Sequence, residues 1–245
     1  MTKIFEALEQ ASQERSLQQE QRQARALTLP ARLEVSKSTL EETMVGLYQN
    51  ITAMLPMDSG KVIQFIGSKP GEGTSVLARE FARVASLKLG KRVLLVDADP
   101  HRPVQSGFFG IRPDMDWRQV IREGREIDQA LYQVETSNLY ITQFSSNNVA
   151  APPVFDAPQL GDLFGELRSE FDLVILDTPP GTKSSDGLAL SPKTDGVVLV
   201  VEAEKTRWQV AEHVVRRIEK QGGKVLGVVL NKRRFPVPEF IYRRF

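Results

Sequence analysis

Three short stretches of this 245-residue chain carry residue types that could act on a phosphate. The first is Gly67-Ser68-Lys69-Pro70-Gly71-Glu72-Gly73-Thr74-Ser75. Glycines at this density let backbone N–H groups turn inward as a nest, and a helix starting behind them adds partial positive charge. A strict phosphate-binding loop carries Lys before its final Ser or Thr. Here Thr74 stands in that place and Ser75 is retained. The second stretch is Asp97-Ala98-Asp99-Pro100-His101-Arg102-Pro103. Two carboxylates this close, near a phosphate loop, suit Mg2+ coordination, water positioning or proton acceptance from a hydroxyl. Asp99 could instead cap the turn before Pro100. The third is Asp177-Thr178-Pro179-Pro180, a carboxylate ending an apolar run, which is how phosphate-loop proteins place a Mg2+-associated acid. Asn231 ends the last apolar run. Its amide both donates and accepts, which suits an adenine edge as well as a cap or turn. His101 reads as a surface residue and His213 as part of an amphipathic helix.

Elements of two kinds must position these residues. Short Val/Ile/Leu runs at 62–66, 93–96, 139–141, 173–176, 197–201 and 225–230 read as strands buried on both faces. Helical spacing appears at about 75–89, 159–169 and 207–221 between them. Strand–helix alternation predicts an α/β fold, a parallel sheet with helices on both faces. Ligands of such sheets lie beyond the carboxyl ends of the strands, where all three stretches fall.

The chain divides by texture into three parts. Residues 1–37 form an amphipathic and polar helical extension, with Ile4, Phe5 and Leu8 on one face and a Gln/Glu/Arg-rich run after it. Residues 38–231 form the main domain. It opens with a helix over about 38–55 whose apolar face is Leu40, Met44, Leu47, Ile51, Met54 and Leu55. Residues 232–245 form a basic, aromatic tail.

Composition excludes several classes. With 41% apolar and 26% charged residues the chain is globular, not disordered or collagen-like. There is no cysteine, so disulfides, thiolate metal sites and cysteine nucleophiles are absent, and two histidines cannot make a histidine-rich metal centre. A net charge of +1 gives no bulk argument for nucleic acid, and none is expected as a partner. No apolar run approaches the roughly 18 residues that span a bilayer. No basic-then-apolar leader is read at the start, so the expectation is a cytoplasmic chain.

Pro70-Gly71-Glu72-Gly73, Val93–Asp99 with Arg102-Pro103, and Phe171–Pro180 resemble the Walker A, Walker A′ and Walker B motifs of bacterial tyrosine kinases. These are the cytoplasmic phosphate-loop kinases of capsule and exopolysaccharide production, related to partition-type ATPases. The resemblance spans about residues 38–231, and Met1–Leu8 looks like the start of members that are separate chains. It implies a P-loop NTPase-like fold, with ATP and Mg2+ as cofactors. Backbone amides of Gly71, Glu72, Gly73, Thr74 and Ser75 would hold the phosphates. Ser75, Asp97 and Asp177 would lie at the metal, and Asn231 would touch adenine. Asp97 and Asp99 would act near the transferred phosphoryl, with Asp97 activating a tyrosine hydroxyl. Lys69 would partly replace the lysine that Thr74 displaces.

The resemblance further implies a membrane polysaccharide co-polymerase (a chain-length determinant) as partner, a homo-oligomer, and a place at the inner face of the membrane. Two departures bear on this. Glu42, Val45 and Tyr48 stand where the subunit-contact helix of the family carries a Glu and two arginines. The tail holds Tyr242 as its only tyrosine, and is basic enough to contact an anionic membrane directly. Three functions stay open: an active tyrosine kinase, a degenerate regulatory partner of the co-polymerase, and a partition-type ATPase switch.

Overall fold

A computed structural model describes residues 38–56, 58–144 and 159–233 of the chain. The amphipathic stretch within residues 1–37 and the tail from 234 onward lie outside the described residues.

The elements run α1 (Ser38–Met54), β1 (Lys61–Gly67), α2 (Thr74–Leu87), β2 (Val93–Asp97), α3 (Gln105–Phe109), α4 (Trp117–Glu123) and β3 (Tyr132–Gln133). They continue with β4 (Leu139–Gln143), α5 (Gln159–Glu170), β5 (Leu173–Thr178), α6 (Asp186–Leu190), β6 (Gly196–Glu202), α7 (Trp208–Lys220) and β7 (Val225–Asn231). The seven strands form one sheet in the order β3-β4-β2-β5-β1-β6-β7. All pairings are parallel except β3 with β4, so the expected sheet carries one short antiparallel edge strand.

The continuous apolar runs follow from the two covered faces. On one face Ile63, Phe65, Leu95, Ile175 and Val200 pack under α1 and α2, where Met44, Ile51 and Phe81 meet them. On the other, Val62, Leu94, Val96 and Val174 pack under α4 and α5. The α5 stripe is Leu160, Leu163, Phe164 and Leu167, at steps of three and four. A third cluster sets Val214 and Ile218 of α7 on Ile66, Val197 and Leu199. Neighbouring strand residues point to opposite faces, so a sheet covered twice needs both parities apolar. Each buried Phe or Leu contributes about 1.5–3 kcal/mol relative to exposure. The short α4 owes its start to Asp116 and Gln119, which form a reciprocal capping box.

Two expectations are corrected at the margins. Met54, read as part of the buried face of α1, is 52% exposed, because it sits in the last turn. β7 is half open, with Val228 and Leu230 exposed, because it is the sheet edge. Among the described residues, no helix is long and apolar enough to cross a membrane.

Candidate functional site

The carboxyl ends of β1, β2 and β5 lie side by side in the sheet order β2-β5-β1. The loops that follow them therefore share one rim. The loop after β1 turns at Gly71 and Gly73, both at φ 88°, in the left-handed region that glycine adopts without a Cβ clash. Gly73 caps α2 through its backbone, with no side-chain hydrogen bond to the first helical N–H groups. Those groups and the positive end of the 14-residue helix are thus available to an anion.

Glu72 fastens the loop. It is 2% exposed, and its carboxylate accepts from Ser68 Oγ at 2.7 Å, Lys69 N at 2.7 Å and Thr206 Oγ1 at 2.5 Å. Its side chain therefore serves the loop, leaving its backbone amide for a ligand. Asn231 Nδ2 donates to the Glu72 carbonyl at 2.8 Å, and Lys232 Nζ donates to the Gly71 carbonyl at 2.5 Å. A Cβ at residue 73 would stand 2.3 Å from Asn231 Nδ2, at a φ that side chains rarely adopt. Gly73→Ala is expected to cost about 1–2 kcal/mol, read as a lower urea midpoint at unchanged slope.

The acidic residues meet at the base of this loop. Asp97 and Asp177 are register partners on adjacent parallel strands, each 1% exposed. Asp97 Oδ2 accepts from Val104 N at 2.7 Å and Gln105 N at 2.8 Å, and Oδ1 accepts from Asp99 N at 3.4 Å. Asp177 accepts from Gln105 Nε2 at 2.7 Å, and the Ser75 side chain lies beside it, close enough to favour its charged form. Both carboxyls titrate above the usual carboxylate range. Burial is the main cause for each, and the charge of Asp97 adds to the rise at Asp177. The N–H donors around Asp97 oppose the shift without cancelling it. Asp99 is half-buried. It caps the turn by accepting from His101 N at 2.9 Å and Arg102 N at 3.1 Å, while it also lines the cleft.

The structure thus brings Ser75, Asp97 and Asp177 together, with Asp99 at the rim and Asn231 against the outside of the loop. Among the described residues no group of three or more His, Asp or Glu could hold a metal ion by itself. A carboxylate and a hydroxyl side by side, Asp177 and Ser75, still fit Mg2+, which keeps several waters and takes the rest of its shell from phosphate. The donor set therefore matches a metal that arrives with a nucleotide.

The cleft over the loop has a volume of ≈ 450 Å³ and is lined by Lys69, Thr74 and Ser75. Arg102 of the second motif also lines it, as do Arg79 and Lys183, which sequence reasoning did not single out for the site. Arg79 follows Ser75 by four residues, so helical spacing could have found it. Its guanidinium lies 3.7 Å from the centroid of the Phe108 ring. Lys183 follows the third motif in a loop bonded to the first, through Gly181 N to Gly67 O at 2.9 Å and Thr182 N to Ser68 O at 3.3 Å. Gln105 was missed as well. It lies beyond the acidic turn and has no motif partner in sequence.

The AAA domain family matches residues 60–225. Tyrosine-protein kinase CpsD of Streptococcus pneumoniae is 30% identical over 197 residues, covering 78% of this chain and 84% of that protein. Succinoglycan biosynthesis transport protein ExoP of Rhizobium meliloti is 26% identical over 210 residues, 82% of this chain but 26% of that longer protein. Among solved structures, the kinase domain of VpsO superposes with a TM-score of 0.69 at 25% identity, covering 80% of this chain and 95% of that one.

Proposed function

The chain belongs to the AAA domain family and to the bacterial tyrosine kinases, and from that premise we propose that it binds Mg-ATP in the cleft over Gly71–Ser75 and serves exopolysaccharide or capsule production. The observation that carries this reading is the convergence of Ser75, Asp97 and Asp177, from three separate strand ends, at the base of one glycine loop.

In this reading the backbone amides of Gly71, Glu72, Gly73, Thr74 and Ser75 cradle the phosphates, and Ser75 and Asp177 hold the metal, with Asp97 beside it. Bound Mg2+ supplies charge neutralisation on the β- and γ-phosphate oxygens. Asp97 accepts the proton of a tyrosine hydroxyl, a role its raised affinity for protons suits. Asp99 orders the turn beside the transferred group, and Lys69 adds positive charge from the loop. Asn231 uses one amide hydrogen on Glu72 and keeps the other for an adenine edge.

The functional unit is residues 38–231, with 1–37 and 232–245 as appendages. The partner is a membrane polysaccharide co-polymerase, which places the chain at the inner face of the membrane. Support comes from ExoP, in which the matched region is about a quarter of a longer protein named for succinoglycan transport. Thr74 favours a second form of the same reading, a slow or silent kinase that regulates the co-polymerase. A neutral hydroxyl there leaves phosphate charge less compensated than an ammonium would.

Calorimetry of the purified chain with ATP, in Mg2+ and in EDTA, tests the reading. Saturable binding that EDTA weakens is expected. Absence of saturable binding at millimolar ATP with Mg2+ would end it. Binding without label transfer to tyrosine would select the regulatory form.

A further inference from the structure

The two buried carboxylates share a neighbour that lies outside all three motifs. Gln105 is fully buried at the start of α3. Its backbone N–H donates to Asp97 Oδ2 at 2.8 Å. Its side-chain Nε2 donates to Asp177 Oδ2 at 2.7 Å and to the Ser75 carbonyl at 2.9 Å. Its Oε1 accepts from an Arg79 Nη at 3.3 Å. A flipped amide would set Oε1 against a carboxylate and a carbonyl, so the surroundings select one orientation. Among the described residues, Gln105 alone has hydrogen bonds to both Asp97 and Asp177.

We propose that Gln105 is a positioning residue that fixes the rotation of the Asp177 carboxylate, and its register with Asp97, for capture of the metal–nucleotide complex. This rests on the Mg-ATP reading above. Asp97 and Asp177 face each other across adjacent strands, and like charges at that spacing push apart. One residue bonded to both, and to α2 through Ser75 and Arg79, opposes that motion from three elements at once. Rotating its side chain would break three of those four bonds together. A carboxylate already held in orientation loses less rotational freedom when it takes a metal, and hydrogen-bond partners of metal ligands typically govern 10–100-fold in metal affinity. The amide of Gln105 is placed on Asp177 as such a partner is.

The test uses the full chain, a fluorescent ADP analogue and Mg2+ titrated from EDTA. Gln105→Met keeps the length and removes the amide. It is expected to bind the analogue in EDTA within about threefold of wild type, while its apparent Mg2+ affinity falls about 10–100-fold. Gln105→Asn keeps an amide one methylene short of Asp177. It is expected to show the same metal deficit, and it carries the test if the Met variant melts early. A residue that only fills space would shift metal-free and metal-bound affinities alike. That result, or unchanged Mg2+ affinity in a folded variant, overturns the inference and leaves the Mg-ATP reading standing. A wild-type chain that binds no analogue with Mg2+ overturns the reading, and this inference with it.

Discussion

Thr74→Lys is expected to raise ATP turnover of the purified chain by about 10²–10³-fold, the usual weight of one preorganised group acting where negative charge develops. Thr74 is the first residue of α2 and is 9% exposed. It lines the cleft immediately before Ser75. Its hydroxyl lies against the Gly67 backbone, 2.6 Å from where a Cβ of residue 67 would stand. A lysine stem at this position leads into the open cleft, and its ammonium would act in a partly desolvated site, where charge counts for more than in water. Phosphate release at saturating Mg-ATP measures the effect. Equal rates for wild type and variant would show that Thr74 is not limiting. Lys69→Ala, made in the wild-type background, would then locate the substitute through its own loss of rate.

Asp177→Asn is expected to act in opposite directions on binding and on stability. Removing a metal-facing carboxylate should lower apparent Mg2+ affinity at least about 100-fold, beyond what outer partners of a metal site control. In EDTA the same variant should be more stable than wild type. The Asp177 carboxyl is pushed up from 3.8 to about 7 in the folded chain, first by burial and then by Asp97. Between those two values the folded state holds a proton that the unfolded chain has released. Stability contributed by this group is therefore complete below 3.8 and is lost as pH rises through about 7. Replacing the buried charge by a neutral amide should recover about 1–2 kcal/mol at pH 8, seen as a melting temperature about 2–8 °C higher. The gain should vanish below pH 3.8, where both states are protonated. A variant less stable than wild type at pH 8 would show that the hydrogen bond from Gln105 outweighs the burial of charge.

The sequence by itself determined the elements and their order. The Val/Ile/Leu runs mark β1, β2, β4, β5, β6 and β7, because a sheet covered on both faces requires apolar residues of both parities. The glycine loop, Ser75, Asp97 and Asp177 were legible because each follows such a run, at the end of the sheet where ligands gather. The short antiparallel β3, with two residues, has too few positions for any period to register. Helices α3 and α6, with five residues each, are likewise shorter than two turns. Tertiary structure decided everything that depends on which strands become neighbours. Asp97 and Asp177 are eighty residues apart in sequence, yet β2 beside β5 makes them partners, and burial together raises their proton affinity. The same packing turns Asp99 into a cap, Glu72 into the tie of the loop and Asn231 into its brace. It also makes a glutamine outside every motif the residue that touches both acids. Local spacing carries local structure because a side chain's face is set by its own backbone, whereas contacts across strands depend on the sheet order, which no single segment encodes.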